Sequence, residues 1–185
     1  ADTSQASNYN VVEGVTYIGD SVSLRARSFL QEALPDAQID ASVSRNVAMG
    51  ADLLQTAIDN NALYQDVVVA LGTNPVGGAD AVDRIVEMLP RGHRLILVTP
   101  YDGRNSDPNA GANAIRAHEL ELAQQYDFIT IADWAQVAQE NPDIWEGTDY
   151  VHFGADTESI TRGGTLYAQM VKDAIDKANQ GHVKP

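Results

Sequence analysis

The sequence predicts a single α/β domain: a five-stranded parallel sheet with helices on both faces. Three observations predict it. Short β-branched runs alternate with helical patterns along the chain. The run 67–71 is apolar at every position, as a central strand buried on both faces must be. The chain has 185 residues, the length of one domain, enough to bury about 70% of its unfolded surface without a metal or disulfide staple.

The strands are expected at 15–19, 37–41, 66–71, 94–98 and 128–131. The helices are expected at 21–34, 47–60, 79–89, 113–125 and 164–179. In the first helix Leu24, Leu30 and Leu34 fall near one face. In the third, Val82, Ile85, Val86 and Leu89 follow i, i+3, i+4, i+7 spacing. The stretch 141–162 is less regular and rich in charge and turn residues. Residues 1–10 are polar and read as a flexible tail or linker remnant. Residues 11–185 read as one domain, expected to be excised from a longer chain.

Composition excludes several functions. Twelve Lys and Arg against 26 Asp and Glu leave a net charge of −14. That balance argues against nucleic acid and against an anionic membrane surface as partners. With no Cys there is no thiol nucleophile, thiolate metal site or disulfide. No apolar run approaches the roughly 18 residues of a membrane span.

Ligands of a parallel α/β sheet bind beyond the carboxyl ends of its strands. That rule selects the loops 19–23, 42–46, 72–78, 99–109 and 143–154. The first strand runs into Gly19, Asp20, Ser21 and Val22. Ser21 at this turn could aim its hydroxyl into the crevice; taken alone, the motif reads as a helix cap. Asp149 and His152, three residues apart, suit a base and its orienting carboxylate. Taken alone they read as an exposed loop pair. Of the other histidines, His93 lies at the amino end of a strand, His118 on a solvated helix face and His182 in a frayed tail. Topology therefore favours His152 as base. Asn74, after the most buried strand, could present its amide to an oxyanion, or be a turn residue before Pro75. Gly77 and Gly78 lack phosphate-loop spacing and read as a flexible turn, and no metal-binding motif is present. Asp20 is expected to brace the turn.

Taken in order, Gly-Asp-Ser after the first strand, Gly-x-Asn after the third and Asp-x-x-His before the last helix resemble the SGNH (GDSL-like) hydrolase superfamily. The resemblance implies a three-layer α/β/α fold with a flavodoxin-like sheet. It also implies a Ser21–His152–Asp149 triad and an oxyanion hole that includes Ser21 and Asn74. One departure narrows the match. The superfamily places a glycine after its second strand, whereas this loop reads Ala41, Ser42, Val43, Ser44, Arg45, Asn46. That form is similar to the extracytoplasmic catalytic domain of bacterial peptidoglycan O-acetyltransferases, as are the Asp133-Trp134 pair and Asn141-Pro142.

The narrower resemblance implies acetyl transfer through an acetyl-serine to the C6 hydroxyl of N-acetylmuramic acid. The acetyl donor would be delivered by a membrane domain, and the peptidoglycan glycan strand would be the acceptor. It implies no cofactor, no metal and no nucleic acid, a tether to the membrane, and a monomer once the domain is isolated. The second oxyanion donor falls to the Ser44 backbone N–H or its hydroxyl. Arg45, Tyr101 and Trp145 are candidate substrate contacts; Arg45 could instead support the oxyanion loop, and Trp145 could simply pack. Trp134 is expected in the core at the start of a helix. Two competing readings use the same residues differently: a carbohydrate acetyl esterase, in which water takes the acetyl group, and a non-catalytic binding module.

Overall fold

The structure, a computed structural model, describes residues 9–185. Its five strands are β1 (Val15–Gly19), β2 (Gln38–Ala41), β3 (Asp66–Ala70), β4 (Arg94–Val98) and β5 (Ile129–Ala132). All pair in parallel, in the order β2-β1-β3-β4-β5. The chain starts at β1, steps out to β2, then crosses back to β3 and on to the far edge. The direction of winding reverses between β1 and β3, so the crevice beyond their carboxyl ends is where a ligand site is expected.

Strand periodicity divides the core into two layers. Val67, Val69 and Leu71 join Ile18, Leu95 and Leu97 on one face. That face is covered by α3 (Val47–Asp59), α4 (Gly78–Met88) and α5 (Gly111–Gln125). Val68 and Ala70 join Tyr17, Ile96 and Val98 on the other. There they meet α1 (Ser21–Arg25), α2 (Arg27–Ala33), α6 (Trp134–Glu140) and α7 (Thr157–Asn179). Trp134 sits in this layer at the start of α6, its ring edge-on to Tyr167 at 4.8 Å between centroids. The three-layer α/β/α architecture expected from the sequence is the observed one.

The elements differ from expectation in four places. The helix expected over 21–34 is two helices, because Ala26, fully buried, takes φ −90° and ψ −1° and turns the chain. The last helix starts at Thr157, seven residues earlier than expected, on a capping box between Asp156 and Ser159. Gly163 and Gly164 lie inside it, and neighbouring rings leave no room for a side chain at either: a Cβ would fall 2.8 Å from Phe153 Cγ at the first and 2.6 Å from Phe29 Cγ at the second. The short α6 lies outside the expected helix ranges, and a 3-10 turn over Pro142–Ile144 fills part of the stretch read as irregular.

The C-terminal residues are not frayed. Val183 is fully buried, and Lys184 pairs its backbone with Gly92 and His93. His182 lies 3.9 Å from Asp127. Of the expected tail, residues 1–8 lie outside the described residues, and Tyr9 lies beneath the Arg91 guanidinium.

Candidate active site

Ser21 follows β1 as the first residue of α1, at the edge of the crevice. It does not cap the helix. The Asp20 carboxylate does, accepting the Val22 N–H at 3.0 Å. The Ser21 hydroxyl is thereby free, and it lies 2.7 Å from His152 Nε2. His152 Nδ1 lies 2.8 Å from Asp149 Oδ2, while Asp149 Oδ1 accepts the N–H groups of His152 at 2.7 Å and Val151 at 3.0 Å. One carboxylate therefore fixes both the ring and the backbone of the histidine. Tyr150, between them, takes φ 61°, the left-handed turn that lets Asp149 fold back onto His152.

The electrostatics set the tautomer. Burial acts to raise the Asp149 pKa, but the His152 N–H, the His152 ring and the Val151 N–H outweigh it and hold the carboxyl at about 2. An ionised Asp149 makes Nδ1 the donor, which leaves Nε2 to accept from the Ser21 hydroxyl. Asp20 is the opposite case. Burial pushes it up to about 6, with the Val22 N–H and the nearby His152 pulling back only in part. It braces the turn, as expected.

The oxyanion candidates lie on the loops after β2 and β3, at the same carboxyl end of the parallel sheet as Ser21. Ser42 N–H bonds to Gly19 O at 3.2 Å, which ties the loop after β2 to the end of β1. Ser44 in that loop is exposed and takes φ 60°, a conformation that ordinarily selects glycine. The superfamily's glycine is absent, yet the backbone adopts the turn a glycine would favour. Asn74 follows β3, its Oδ1 taking the Val76 N–H at 3.4 Å. Its amide N–H2 has no protein partner among the described residues.

Two proposed substrate contacts are corrected. Trp145 is buried, its indole N–H donating to Ala138 O at 2.8 Å, so it has no free face for a sugar. Tyr101 packs against it at 4.9 Å between centroids and keeps partial exposure. Arg45 is also buried. Its guanidinium donates to Gly19 O, Asp40 O and the Asp40 carboxylate at 3.2, 2.9 and 3.0 Å. Those bonds occupy it with the carboxyl ends of β1 and β2, so it supports the oxyanion loop rather than meeting substrate.

The remaining histidines stay away from this chemistry. His93 Nδ1 meets Tyr64 O at 2.8 Å at the amino end of the sheet. His118 is half-buried, not solvated, and lies 2.6 Å from Asp83. Among the described residues no group of three or more His, Asp or Glu side chains is placed to hold a metal ion.

Sequence reasoning missed the supports of the site. The Tyr17, Ser23 and Tyr167 hydroxyls form a buried ring beneath α1, at 2.8, 3.2 and 3.3 Å. Asp133 takes bonds from Thr99 at 2.7 Å and from Arg116 at 2.8 and 2.6 Å, clamping the carboxyl ends of β4 and β5. Gly103 N–H bonds to Tyr150 O at 2.9 Å, joining the loop after β4 to the loop that carries His152. Only the Asp133-Trp134 pair had a sequence signal; the others become visible once distant elements meet.

A Ser–His–Asp relay beyond the carboxyl ends of this parallel sheet is the arrangement of the GDSL-type, or SGNH, hydrolases. Solved structures place the chain more closely. It is similar to the C-terminal catalytic domain of peptidoglycan O-acetyltransferase A from Streptococcus pneumoniae, solved with a methylsulfonyl adduct. The identity is 43%, the TM-score 0.90, and the match covers 95% of this chain and 99% of that one. The chain belongs to the family of peptidoglycan O-acetyltransferase A catalytic domains within the SGNH superfamily. Two more distant structures share the fold. A member of the lipolytic G-D-S-L family from Veillonella parvula matches at 11% identity and TM-score 0.66, over 90% of this chain and 100% of that one. A catalytic mutant of an acetylxylan esterase from Geobacillus stearothermophilus matches at 14% and 0.59, over 90% and 95%. No protein-family model matches the chain, and comparison with curated proteins finds no match.

Proposed function

We infer that this domain O-acetylates peptidoglycan, carrying the acetyl group on Ser21 and delivering it to the C6 hydroxyl of N-acetylmuramic acid. One observation carries the reading: a complete Ser21–His152–Asp149 relay, at 2.7 and 2.8 Å, in a chain 43% identical over nearly its whole length to a peptidoglycan O-acetyltransferase catalytic domain. Ser21 Oγ attacks the acetyl carbonyl as its proton passes to His152 Nε2. Asp149 supports the imidazolium that results. The oxyanion is held by the N–H groups of Ser21 and Ser44 and by the Asn74 amide. Collapse breaks the bond to the leaving group, which takes the proton from His152, and acetyl-Ser21 remains. His152 then removes the proton of the sugar hydroxyl as that oxygen attacks the acetyl carbonyl. Collapse returns the proton to Ser21 and releases the acetylated glycan.

The family resemblance supports an extracytoplasmic site of action, with the donor delivered by a membrane domain to which this one is tethered. No helix among the described residues is long and apolar enough to cross a membrane. A second reading, acetyl esterase, draws on the access of water: the His152 side chain is 37% exposed. Water attacking acetyl-Ser21 would release acetate. An activated acetyl ester with N-acetylated glycan oligomers separates the two when mass spectrometry follows both acetate and acetylated sugar. The expected result is acetylated sugar that disappears with Ser21→Ala. Ser21-dependent acetate alone, in the presence of muramic-acid oligomers, would favour the esterase.

A further inference from the structure

We propose that Arg25 is a positioning residue that sets His152 against Ser21, a role that rests on the catalytic reading of that pair. Arg25 ends α1, one helical turn after Ser21. Its Nε donates to Phe153 O at 2.9 Å, and its Nη2 donates to Gly154 O. Those carbonyls belong to the two residues that directly follow His152. One planar guanidinium thus joins the helix that bears the hydroxyl to the backbone that bears the imidazole.

The rest of the site shows why such a link matters. The helix α1 is anchored beneath by the Ser23 hydroxyl, bonded to Tyr17 at 2.8 Å and Tyr167 at 3.3 Å. The histidine loop is anchored through other parts of the chain: by its own Asp149, by Gly103 N–H on Tyr150 O, and by Gly154 N–H on Ile144 O at 2.8 Å. None of these bonds relates the loop to α1. Ser21 and His152 are 131 residues apart in sequence. Among the described residues, the side-chain hydrogen bonds between α1 and this loop are the reacting Ser21–His152 contact and the two from Arg25. During turnover the reacting contact is broken, as Ser21 Oγ bonds to acetyl. Arg25 is then the polar tie that holds the imidazole in register for the second half-reaction.

A forked guanidinium fixes two adjacent carbonyls at once, which a lysine ammonium, a point charge, cannot do. Misplacing a reacting group by about 1 Å can cost on the order of 10²-fold in rate. Arg25→Met should therefore lower kcat for acetyl release by about 10²-fold, with KM within about twofold, because no substrate contact is removed. Arg25→Lys should recover about tenfold of that loss. Millimolar guanidinium should raise the rate of Arg25→Ala and leave wild type unaffected, since the Arg25 side chain lies on the surface. Arg27→Met, an exposed neighbour, serves as the control for removing one surface cation.

Ser21→Ala, measured in the same series, keeps the two claims apart. If it retains activity, the catalytic reading fails. If it is inert while Arg25→Met keeps wild-type kcat, the positioning role alone is overturned. A fall in kcat matched by a lower melting temperature and unresponsive to guanidinium also overturns it, in favour of a purely structural role.

Discussion

Replacing Asp20 with Asn separates the cost of burying a charge from the benefit of capping a helix. The Asp20 carboxyl is 5% exposed, and burial raises its pKa from 3.8 to about 6 despite the Val22 N–H and His152. The folded protein therefore holds a proton on this group that the unfolded chain has already released. Between about pH 4 and pH 6 the folded state binds more protons than the unfolded state, so this group lowers stability as pH rises through that window. The shift corresponds to about 3 kcal/mol, absent below the window and fully expressed above it. Asparagine keeps an oxygen for the Val22 N–H and cannot ionise. Any fixed penalty from its N–H2 is the same at every pH. The quantity to follow is the difference in unfolding free energy between Asp20→Asn and wild type, from urea titrations at pH 3.5 and 7.5. It should favour the mutant by about 3 kcal/mol more at pH 7.5 than at pH 3.5. Asp66 and Glu119, both pushed up by burial, and Asp133, held down against burial by Arg116 and Thr99, titrate in both proteins and cancel. A difference that stays flat within about 0.5 kcal/mol across this range would refute the buried, proton-retaining Asp20.

Three further outcomes follow from the geometry. Asp149→Asn should lower kcat by about 10⁴-fold in a steady-state ester assay, because the amide leaves His152 without charge support and free to adopt the wrong tautomer. Asn74→Ala should lower kcat by roughly 10²–10³-fold with little change in KM, as for a lost oxyanion donor. Gly163→Ala should destabilise the fold by about 1–3 kcal/mol in urea unfolding, although alanine is the better helix former by about 1 kcal/mol. The added methyl has no room beside Phe153, which is fully buried.

The sheet was legible because its strands are β-branched runs, and the all-apolar 67–71 segment marked the buried centre. What stayed hidden depended on tertiary packing. Ala26 carries no local breaker signal, and the turn there, at a fully buried residue, is visible only in the folded chain. The helix was expected only from Gly164, yet it begins at Thr157 and holds both Gly163 and Gly164, where the Phe153 and Phe29 rings occupy the space a side chain would need. Among site residues, Ser21, Asp149 and His152 are each ambiguous alone; the ordered motif set, through its resemblance to the SGNH superfamily, singles them out, and the structure brings them together. Trp145 and Arg45 lie on loops at the correct end of the sheet, but loop position does not reveal direction. One turns inward onto Ala138 and the other onto the Gly19 and Asp40 carbonyls. Arg25 gave no sequence signal, since its partners are backbone carbonyls 128 and 129 residues away.

The most direct test of acetyl transfer through Ser21 is a chase. The domain is loaded with an isotopically labelled acetyl ester, freed of donor, and mixed with oligomers containing N-acetylmuramic acid. Peptide mass spectrometry follows the acetyl group on Ser21 while sugar analysis follows the C6 position. The expected result is label on the Ser21 peptide that disappears in step with labelled C6-O-acetylmuramic acid. Label on another residue, or label that leaves Ser21 only as acetate at a rate unchanged by the oligomers, would contradict it.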